Sequence, residues 1–284
     1  MAEISDTEPR GHYARSLTEE EAAKLAKDTA LLSEFKRLKL EAEAQKNWDL
    51  FYKRNETRFF KDRHWTKREF EELASCDSDT SSRADAAPVL LEVGCGVGNF
   101  VFPLIEEKTS YYIYACDFSP RAIQFVRSHP LYNEGAVTAF QCDITKDRLC
   151  DKVPLEGVDI VTMIFVLSAI HPDKMALALK NVFEALKPGG LVLFRDYGLF
   201  DQAMLRFAPG HKIGSNFYVR QDGTRAFYFS EEYLEELFVG AGYEVVSNEY
   251  VCRETVNKKE DICVPRIFVQ GKFKKPHDSK NGCE

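Results

Sequence analysis

The residues EVGCGVGN at 92–99 place three glycines at alternate positions directly after an apolar run. Glycine lets a chain turn sharply and lets a ligand approach the backbone closely. A dinucleotide fingerprint needs G-x-G-x-x-G, and here Asn99 stands where its third glycine belongs. No Gly-Lys-Ser/Thr of a P-loop follows either. The stretch therefore predicts a ligand-binding turn that is not a pyrophosphate cradle.

Two aspartates end the next two apolar runs. Asp117 lies 23 residues after Gly94, directly behind the run at 111–116, and Asp143 follows the run at 137–141. Because parallel strands end at the same edge of a sheet, these side chains and the glycine turn should meet. An acid there accepts from both hydroxyls of a ribose, and Asp143 could accept from an adenine amino group. The pattern predicts an adenosine site, although a tight structural turn is the alternative for the glycines alone.

A second group of residues suits nucleic acid. Between positions 46 and 68 stand eight Lys or Arg and three acids, a local charge of +5 in a chain whose net charge is −7. Aromatic residues interleave with these cations, and RNA offers phosphates to cations and exposed bases to rings. An amphipathic helix with snorkelling lysines is the alternative. The predicted RNA-binding residues are Lys53, Arg58, Lys61, Arg63, His64 and Lys67.

The residues Arg195-Asp196-Tyr197 follow an apolar run at 191–194, which predicts a strand that ends at the mouth of the same cleft. Asp196 is the candidate acceptor for positive charge that develops on a substrate. Tyr197 could stack on a base, and Arg195 could hold a carbonyl or a phosphate. An Arg–Asp pair that only stabilises the end of the strand is the alternative.

The elements that must position these residues alternate between strand and helix after Pro88. This alternation predicts an α/β fold with a doubly wound, Rossmann-like sheet whose ligands bind at the carboxyl ends of the strands. Upstream, Thr18 and Glu21 form a capping-box pattern that begins a helical extension, with a break near 29–33. Strands are predicted at 89–93, 111–116, 137–141, 158–166, 191–194, 243–250 and 267–273, and helices at 172–186 and 231–241.

Composition excludes several classes of protein. Apolar residues make up 44% and aromatic residues 12% of the 284 positions, which rules out a disordered or collagen-like chain. No apolar run approaches the ~20 residues that span a bilayer. The eight cysteines are scattered, without C-x-x-C pairs or a histidine cluster, so no metal site is expected. Scattered thiols and an N-terminus unlike a signal peptide predict a cytoplasmic protein, with the nucleus as a further location.

The glycine turn with Asp117 and Asp143 resembles the class I S-adenosylmethionine-dependent methyltransferases over about residues 88–274. The resemblance implies a seven-stranded sheet, mostly parallel with an antiparallel strand, and S-adenosylmethionine as the cofactor. The residues that would contact this cofactor are Gly94, Gly96, Gly98, Asp117, Asp143 and, at the end of the fourth strand, Ile164 and Phe165.

Several segments are similar to the tRNA N3-methylcytidine methyltransferases, and most of all to the member that acts on seryl-tRNA. This closer resemblance covers about residues 16–275 and implies methylation of an anticodon-loop cytidine in serine tRNA. It further implies that Trp48 and Tyr52 close over the cofactor, and that a seryl-tRNA synthetase could present the tRNA. The segments are QKNWDLFYKRN at 45–55, FFKDRHW at 59–65, ACDFSPRAI at 115–123, FVLSAIHP at 165–172, FRDYG at 194–198, FYVRQDGT at 217–224 and NEYVCRETVNKKE at 248–260.

We expect the protein to be a monomer that contacts no membrane. Its chain is predicted to have five parts. Two alternative functions stay open: a small-molecule methyltransferase of the same fold, and a non-catalytic RNA-binding protein with a vestigial site. Salt-sensitive tRNA binding would argue against the first, and cofactor binding against the second. The parts are a disordered tail at 1–15, an N-terminal helical RNA-binding and cofactor-capping region at 16–75, a linker at 76–88, the methyltransferase domain at 89–275 and a disordered tail at 276–284.

Overall fold

The computed structural model describes residues 3–5, 15–74, 87–257 and 262–277, and a sheet of eight strands organises them. The strands are β1 Glu3–Ser5, β2 Val89–Val93, β3 Tyr112–Asp117, β4 Val137–Gln141, β5 Val158–Ile164, β6 Leu186–Tyr197, β10 Glu244–Asn257 and β11 Ile262–Lys274. Across the sheet they follow the order β1-β10-β11-β6-β5-β2-β3-β4.

Seven of these strands form the predicted doubly wound sheet. Strands β2 to β6 are parallel to one another, and β11 lies antiparallel between β6 and β10. The central strand β5 is almost continuously apolar and buried, as a strand covered on both faces should be. The predicted mostly parallel sheet with an antiparallel strand is therefore confirmed. Strand β1 adds an eighth, edge strand inside the predicted tail at 1–15, which the sequence pattern does not indicate.

Helices cover both faces of this sheet. One core cluster joins the sheet to α7 and α9, and a second joins its other face to α5 and α6. No helix among the described residues is long and apolar enough to cross a bilayer. The bounds are α5 Val101–Glu106, α6 Pro120–Arg127, α7 Pro172–Ala185, α8 Gln202–Leu205 and α9 Glu231–Gly240.

The N-terminal region is helical, as predicted, and begins with the predicted capping box at Thr18. Its first two helices, α1 and α2, bury no residue, and α3 buries Phe51 and Tyr52. The predicted linker at 76–88 and tail at 276–284 lie largely outside the described residues. The bounds are α1 Glu19–Lys27, α2 Glu34–Ala42, α3 Ala44–Asn55 and α4 Thr66–Glu69.

A second, three-stranded antiparallel sheet lies between α8 and α9. Its strands are β7 Lys212–Gly214, β8 Phe217–Val219 and β9 Arg225–Phe227. Each has three residues, too few for an alternating pattern to be visible in the sequence. This small sheet carries Arg220 and Arg225 towards the functional site.

Candidate active site

The glycine turn follows β2 and depends on left-handed backbone at three positions. Gly94, Gly96 and Gly98 have φ angles of 64°, 55° and 92°. Space is as restrictive as these angles, because a Cβ on Gly94 would lie 2.5 Å from a Val166 methyl carbon. On Gly98 a Cβ would lie 2.3 Å from the Phe102 ring. A larger residue would strain the turn, so these positions require glycine.

Asp117 ends β3 beside this turn, and its carboxylate is buried. One oxygen accepts from the Gly96 N–H at 3.0 Å and the other from the Ser119 N–H at 2.9 Å, and the Tyr52 hydroxyl also donates to the group. Burial raises the pKa of Asp117 to about 6, although these donors favour the charged form. A carboxylate fixed in this way keeps lone pairs for the two hydroxyls of a ribose.

A cavity of about 150 Å³ opens at the carboxyl ends of β2 to β5, and we call it the strand-end cavity. It brings the predicted adenosine residues together with the N-terminal helices. Of the residues predicted to bind the cofactor, Trp48, Tyr52, Gly94, Asp117, Asp143 and Phe165 line this cavity.

Asp143 contributes a second carboxylate to the strand-end cavity. It accepts from the Thr145 hydroxyl at 2.7 Å and from Lys146 Nζ at 2.8 Å. Burial opposes ionisation, but these donors outweigh it, and the pKa of Asp143 lies below its usual value. An ionised acceptor is therefore available where an adenine amino group is expected.

Helices α2 and α3, residues 34–55, cover the strand-end cavity, and we call them the N-terminal cap. Glu41 in the cap forms ion pairs with Lys174 of α7 and Arg225 of β9. Burial alone would raise the pKa of Glu41, but its two cationic partners have the larger, opposite effect, so the pKa lies below its usual value. Gln45 Nε2 donates to the Phe118 carbonyl at 2.5 Å. Polar contacts thus hold the cap in place.

A smaller cavity, of about 40 Å³, adjoins the glycine turn. Arg63, Arg220 and Arg225 line it, so we call it the arginine cavity. Its apolar surface comes from aromatic rings, including those of Phe60 and Tyr197. The two cavities share a wall, because Trp48, Tyr52, Gly94, Phe165 and Arg225 line both.

Arg63 reaches the glycine turn from the segment between α3 and α4. Its backbone N–H donates to the Asn99 carbonyl at 2.7 Å, and its guanidinium lies 3.7 Å from Glu92. Burial raises the pKa of Glu92 to about 8, against the opposing effect of Arg63. Glu92 Oε2 is buried without a hydrogen-bond partner among the described residues. Glu92 lines neither cavity, so its buried side chain supports Arg63 and the glycine turn instead of contacting a ligand.

Strand β6 turns Asp196 away from Arg195 and Tyr197, because successive strand residues face opposite sides of the sheet. Only Tyr197 lines the arginine cavity. Asp196 lies behind the cavity wall, fully buried, and accepts from the Ser168 and Tyr197 N–H groups at 2.9 Å each. Burial raises the pKa of Asp196 to about 6. Arg195 is buried on the opposite side, 3.5 Å from Glu69.

Two predictions for this strand end are therefore corrected. The Arg195 guanidinium lies over the rings of Trp65 and Phe268, at 4.4 Å and 5.1 Å, and lines neither cavity. It cannot hold a substrate carbonyl or phosphate from there, and its partner is Glu69 rather than Asp196. Asp196 does not line a cavity either, but it positions Ser168 and Tyr197, which both line the arginine cavity.

The end of β5 differs from the prediction by one residue. Ile164 packs in the core and lines neither cavity, whereas Phe165 lines both. Phe165 has a φ of 59°, which is rare and costly for a bulky residue. Its backbone N–H donates to the Arg195 carbonyl at 2.8 Å, which holds this conformation. Strain of this kind typically marks a functional position, here the shared wall.

The residues predicted to bind RNA divide into two groups. Arg63 and Lys67 turn inward, towards Glu92 and Glu107, and the Lys67 ion pair measures 2.9 Å. Both residues have acidic partners, and Arg63 lines the arginine cavity instead of the outer surface, so RNA binding by these two stays a prediction. The exposed group consists of Lys53, Arg58, Lys61 and His64.

An open groove of about 690 Å³ lies outside the arginine cavity, and we call it the outer groove. Three arginines from separate elements line it: Arg54, Arg206 and Arg220. Arg220 also lines the arginine cavity and lies over the Tyr197 ring at 5.5 Å, so the two spaces adjoin. Arg54 belongs to the basic segment at 46–68 and Arg220 to the segment FYVRQDGT, but Arg206 has no local signal, and only the fold brings the three together.

The sheet topology, the glycine turn and the adjoining cavities define a class I methyltransferase. A family model described as a methyltransferase domain matches residues 63–248. The chain also resembles the solved SAM-dependent methyltransferase of Anabaena variabilis, with a TM-score of 0.57 at 12% identity over 81% of this chain and 94% of that one. That likeness shows a shared fold.

Two more similar proteins show to which family of methyltransferases the chain belongs. The chain is 63% identical to the tRNA N(3)-cytidine methyltransferase METTL6 of Mus musculus, over 94% of this chain and 93% of the mouse protein. It is 45% identical to the tRNA N(3)-methylcytidine methyltransferase trm141 of Schizosaccharomyces pombe, over 86% of this chain and 97% of that protein. The chain therefore belongs to the tRNA N(3)-cytidine methyltransferase family, and its cofactor is S-adenosylmethionine. The predicted family and cofactor are confirmed.

Proposed function

We propose that this protein methylates N3 of a cytidine in the anticodon loop of tRNA, with serine tRNA as its substrate. The shared wall of the two cavities is the observation that carries the proposal. Tyr52 and Phe165 line both cavities, so a base in the arginine cavity would lie next to a cofactor in the strand-end cavity, with cytosine N3 in direct contact with the methyl group. The activities named for the mouse and yeast relatives support the same reaction.

The reaction depends more on the placement of the two substrates than on a general base in the protein. Cytosine N3 carries a free lone pair near neutral pH, so the protein mainly brings two groups together. S-adenosylmethionine, when bound, supplies a methyl group on a positively charged sulfur. Asp117 would hold the ribose of that molecule and Asp143 its adenine amino group. No Asn-Pro-Pro-Tyr-like motif for attack by an exocyclic amine follows β5, where the chain reads IFVLS at 164–168.

The arginine cavity can accept a base that becomes positively charged. Arg225 is ion-paired with Glu41, which offsets part of the positive charge that the three guanidinium groups bring to the cavity. Guanidinium groups can donate to the cytosine carbonyl. The Ser168 hydroxyl stands near the buried carboxylate of Asp196, which favours positive charge in the neighbouring cavity.

The tRNA must offer an unstacked cytidine, because the arginine cavity is small and enclosed. The outer groove would then hold the backbone on either side, with Arg54, Arg206 and Arg220 as phosphate contacts. The family resemblance adds the proposal that a seryl-tRNA synthetase presents the tRNA. We also propose that the enzyme is a monomer and that it works in the cytoplasm and the nucleus.

Nucleoside mass spectrometry tests the proposed reaction. Purified protein is incubated with S-adenosylmethionine and unmodified serine tRNA, with and without seryl-tRNA synthetase, and the tRNA is digested to nucleosides. N3-methylcytidine, mapped to the anticodon loop and absent with Asp117→Ala, is the expected product. A methyl group on another cytidine atom, or turnover with small acceptors alone, would contradict the proposal.

A further inference from the structure

Phe59 is the one exposed ring of the basic, aromatic segment. Seven aromatic residues lie between positions 46 and 70, and six of them are buried or half-buried. Phe59 leaves 54% of its surface exposed. Exposure alone does not mark a binding ring, since Phe35 on α2 is more exposed, but Phe59 is the exposed aromatic ring of a basic segment whose other aromatic rings turn inward.

The Phe59 ring is held rigidly by its neighbours. It meets Phe51 edge-to-face at 4.8 Å and 78°, and Phe60 at 4.9 Å and 81°. Phe51 is itself buried and packs on Trp48 at 5.2 Å. A ring that is already fixed loses little conformational entropy when a ligand stacks on it.

Phe59 also lies close to the proposed site of the target base. Its neighbour Phe60 lines the arginine cavity, so Phe59 lies one ring outward from the proposed base site. Lys53 and Lys61 in the same segment are exposed and have no ion pair among the described residues. A ring beside free cations suits a nucleotide, which offers both a flat base and a phosphate.

We propose that Phe59 is a stacking platform for the nucleotide adjoining the target cytidine. This inference rests on the proposed function and extends it to a second base. Withdrawing one base from a loop removes a stacking partner from the next, and Phe59 replaces that partner. The platform would hold the loop open while the cytidine occupies the arginine cavity.

The test combines protein variants with RNA variants. The probe is an RNA hairpin with the anticodon-arm sequence of serine tRNA, either intact or with an abasic site on one side of the target cytidine. Binding is measured by fluorescence anisotropy for the wild type and for Phe59→Ala, Phe59→Leu and Phe59→Trp. Phe35→Ala is the matched control, because Phe35 is 75% exposed on α2, outside both cavities.

Phe59→Ala should weaken binding of the intact hairpin by about tenfold to a hundredfold, the usual effect of losing one base–ring stack. Phe59→Trp should retain binding, Phe59→Leu should lose most of it, and Phe35→Ala should be neutral. On one of the abasic hairpins, Phe59→Ala should bind as well as the wild type. The inference is overturned if Phe59→Ala loses the same factor on every hairpin, or if Phe59→Leu matches the wild type. Binding is scored apart from turnover, so failure to form N3-methylcytidine would count against the proposed function alone.

Discussion

Single carboxylates decide how the site responds to pH. Asp117 and Asp196 are both buried, both accept from two backbone amides, and burial raises the pKa of each to about 6. Their unfolded-state pKa is about 3.9, so each contributes stability below that value and loses this contribution as pH rises through about 6. Hydrogen bonds to a ligand need the opposite, charged form. Ligand binding and fold stability therefore have opposing pH dependences at Asp117, which lines the strand-end cavity.

Asp117→Asn should lower the affinity for S-adenosylmethionine at pH 7.5 by at least about tenfold, because charge-assisted acceptors for the ribose are lost. Wild-type affinity should itself weaken as pH falls through about 6 and Asp117 takes up a proton. Calorimetry across this range should show the pH step in the wild type and no step in the variant. Glu134→Gln, at an exposed position, is the control. Undiminished binding by a folded Asp117→Asn variant would refute the ribose assignment.

Asp196→Asn should slow single-turnover methyl transfer by about tenfold to a thousandfold, as when one preorganised electrostatic group is lost. An asparagine offers one oxygen to two amides, so Ser168 and Tyr197 would lose their fixed positions. Cofactor affinity should stay within about twofold, since Asp196 lines neither cavity. A lower melting temperature with an unchanged rate would show a structural role only.

At the scale of elements, α2 is the more weakly attached of the two helices of the N-terminal cap. It buries no residue and contacts the sheet domain through half-buried Leu40 and the ion pairs of Glu41, whereas α3 buries Phe51 and Tyr52. Charge-assisted contacts contribute about 1.5–3 kcal/mol before compensation, far less than a buried apolar interface. Helix α2 can therefore open locally while α3 and the sheet stay folded.

Glu41→Gln should speed release of S-adenosylhomocysteine by about tenfold or more, because the ion pairs of Glu41 with Lys174 and Arg225 are lost. Stopped-flow fluorescence of Trp48, which lines the strand-end cavity, can follow the release. Glu43→Gln is the matched control, since Glu43 lies on the same cap and pairs only with exposed Lys46. Equal release rates for the two variants would mean that Glu41 does not hold the cap closed.

The sheet and the adenosine residues were predictable, and the contacts across the cap were not. Apolar runs ending at Asp117 and Asp143 have a local pattern that the sequence displays directly. Glu41 and Arg225 are separated by 184 positions, and only the fold brings them together. In the same way, nothing local distinguishes Arg63, which turns inward, from Lys61, which stays exposed.

For the whole molecule, the distribution of charge matters more than its sum. The chain carries a net charge of −7, yet Arg54, Arg206 and Arg220 converge on the outer groove from three elements. An acidic protein with one basic groove repels polyanions elsewhere and attracts them there. Binding through such a groove must weaken with salt, since each phosphate contact releases counterions.

The double variant Arg54→Glu/Arg206→Glu should weaken tRNA binding strongly at low salt. The slope of log affinity against log salt concentration should fall by the amount expected for the loss of about two phosphate contacts. Cofactor affinity should not change, because neither residue lines the strand-end cavity. Filter binding at several salt concentrations measures both quantities for tRNA. Lys36→Glu/Arg37→Glu on α2 changes the net charge equally and serves as the control. An equal loss in both double variants would indicate general electrostatic repulsion instead of a groove.

The wall shared by the strand-end and arginine cavities has a practical consequence for inhibition. Trp48, Tyr52 and Phe165 face both spaces, so one small molecule can occupy the two together. A compound that joins adenosine to cytosine by a short linker would have its second half delivered at high effective concentration once the first half binds. Enzymes that share only the strand-end cavity would bind just half of such a compound, so selectivity would come from the arginines of this chain.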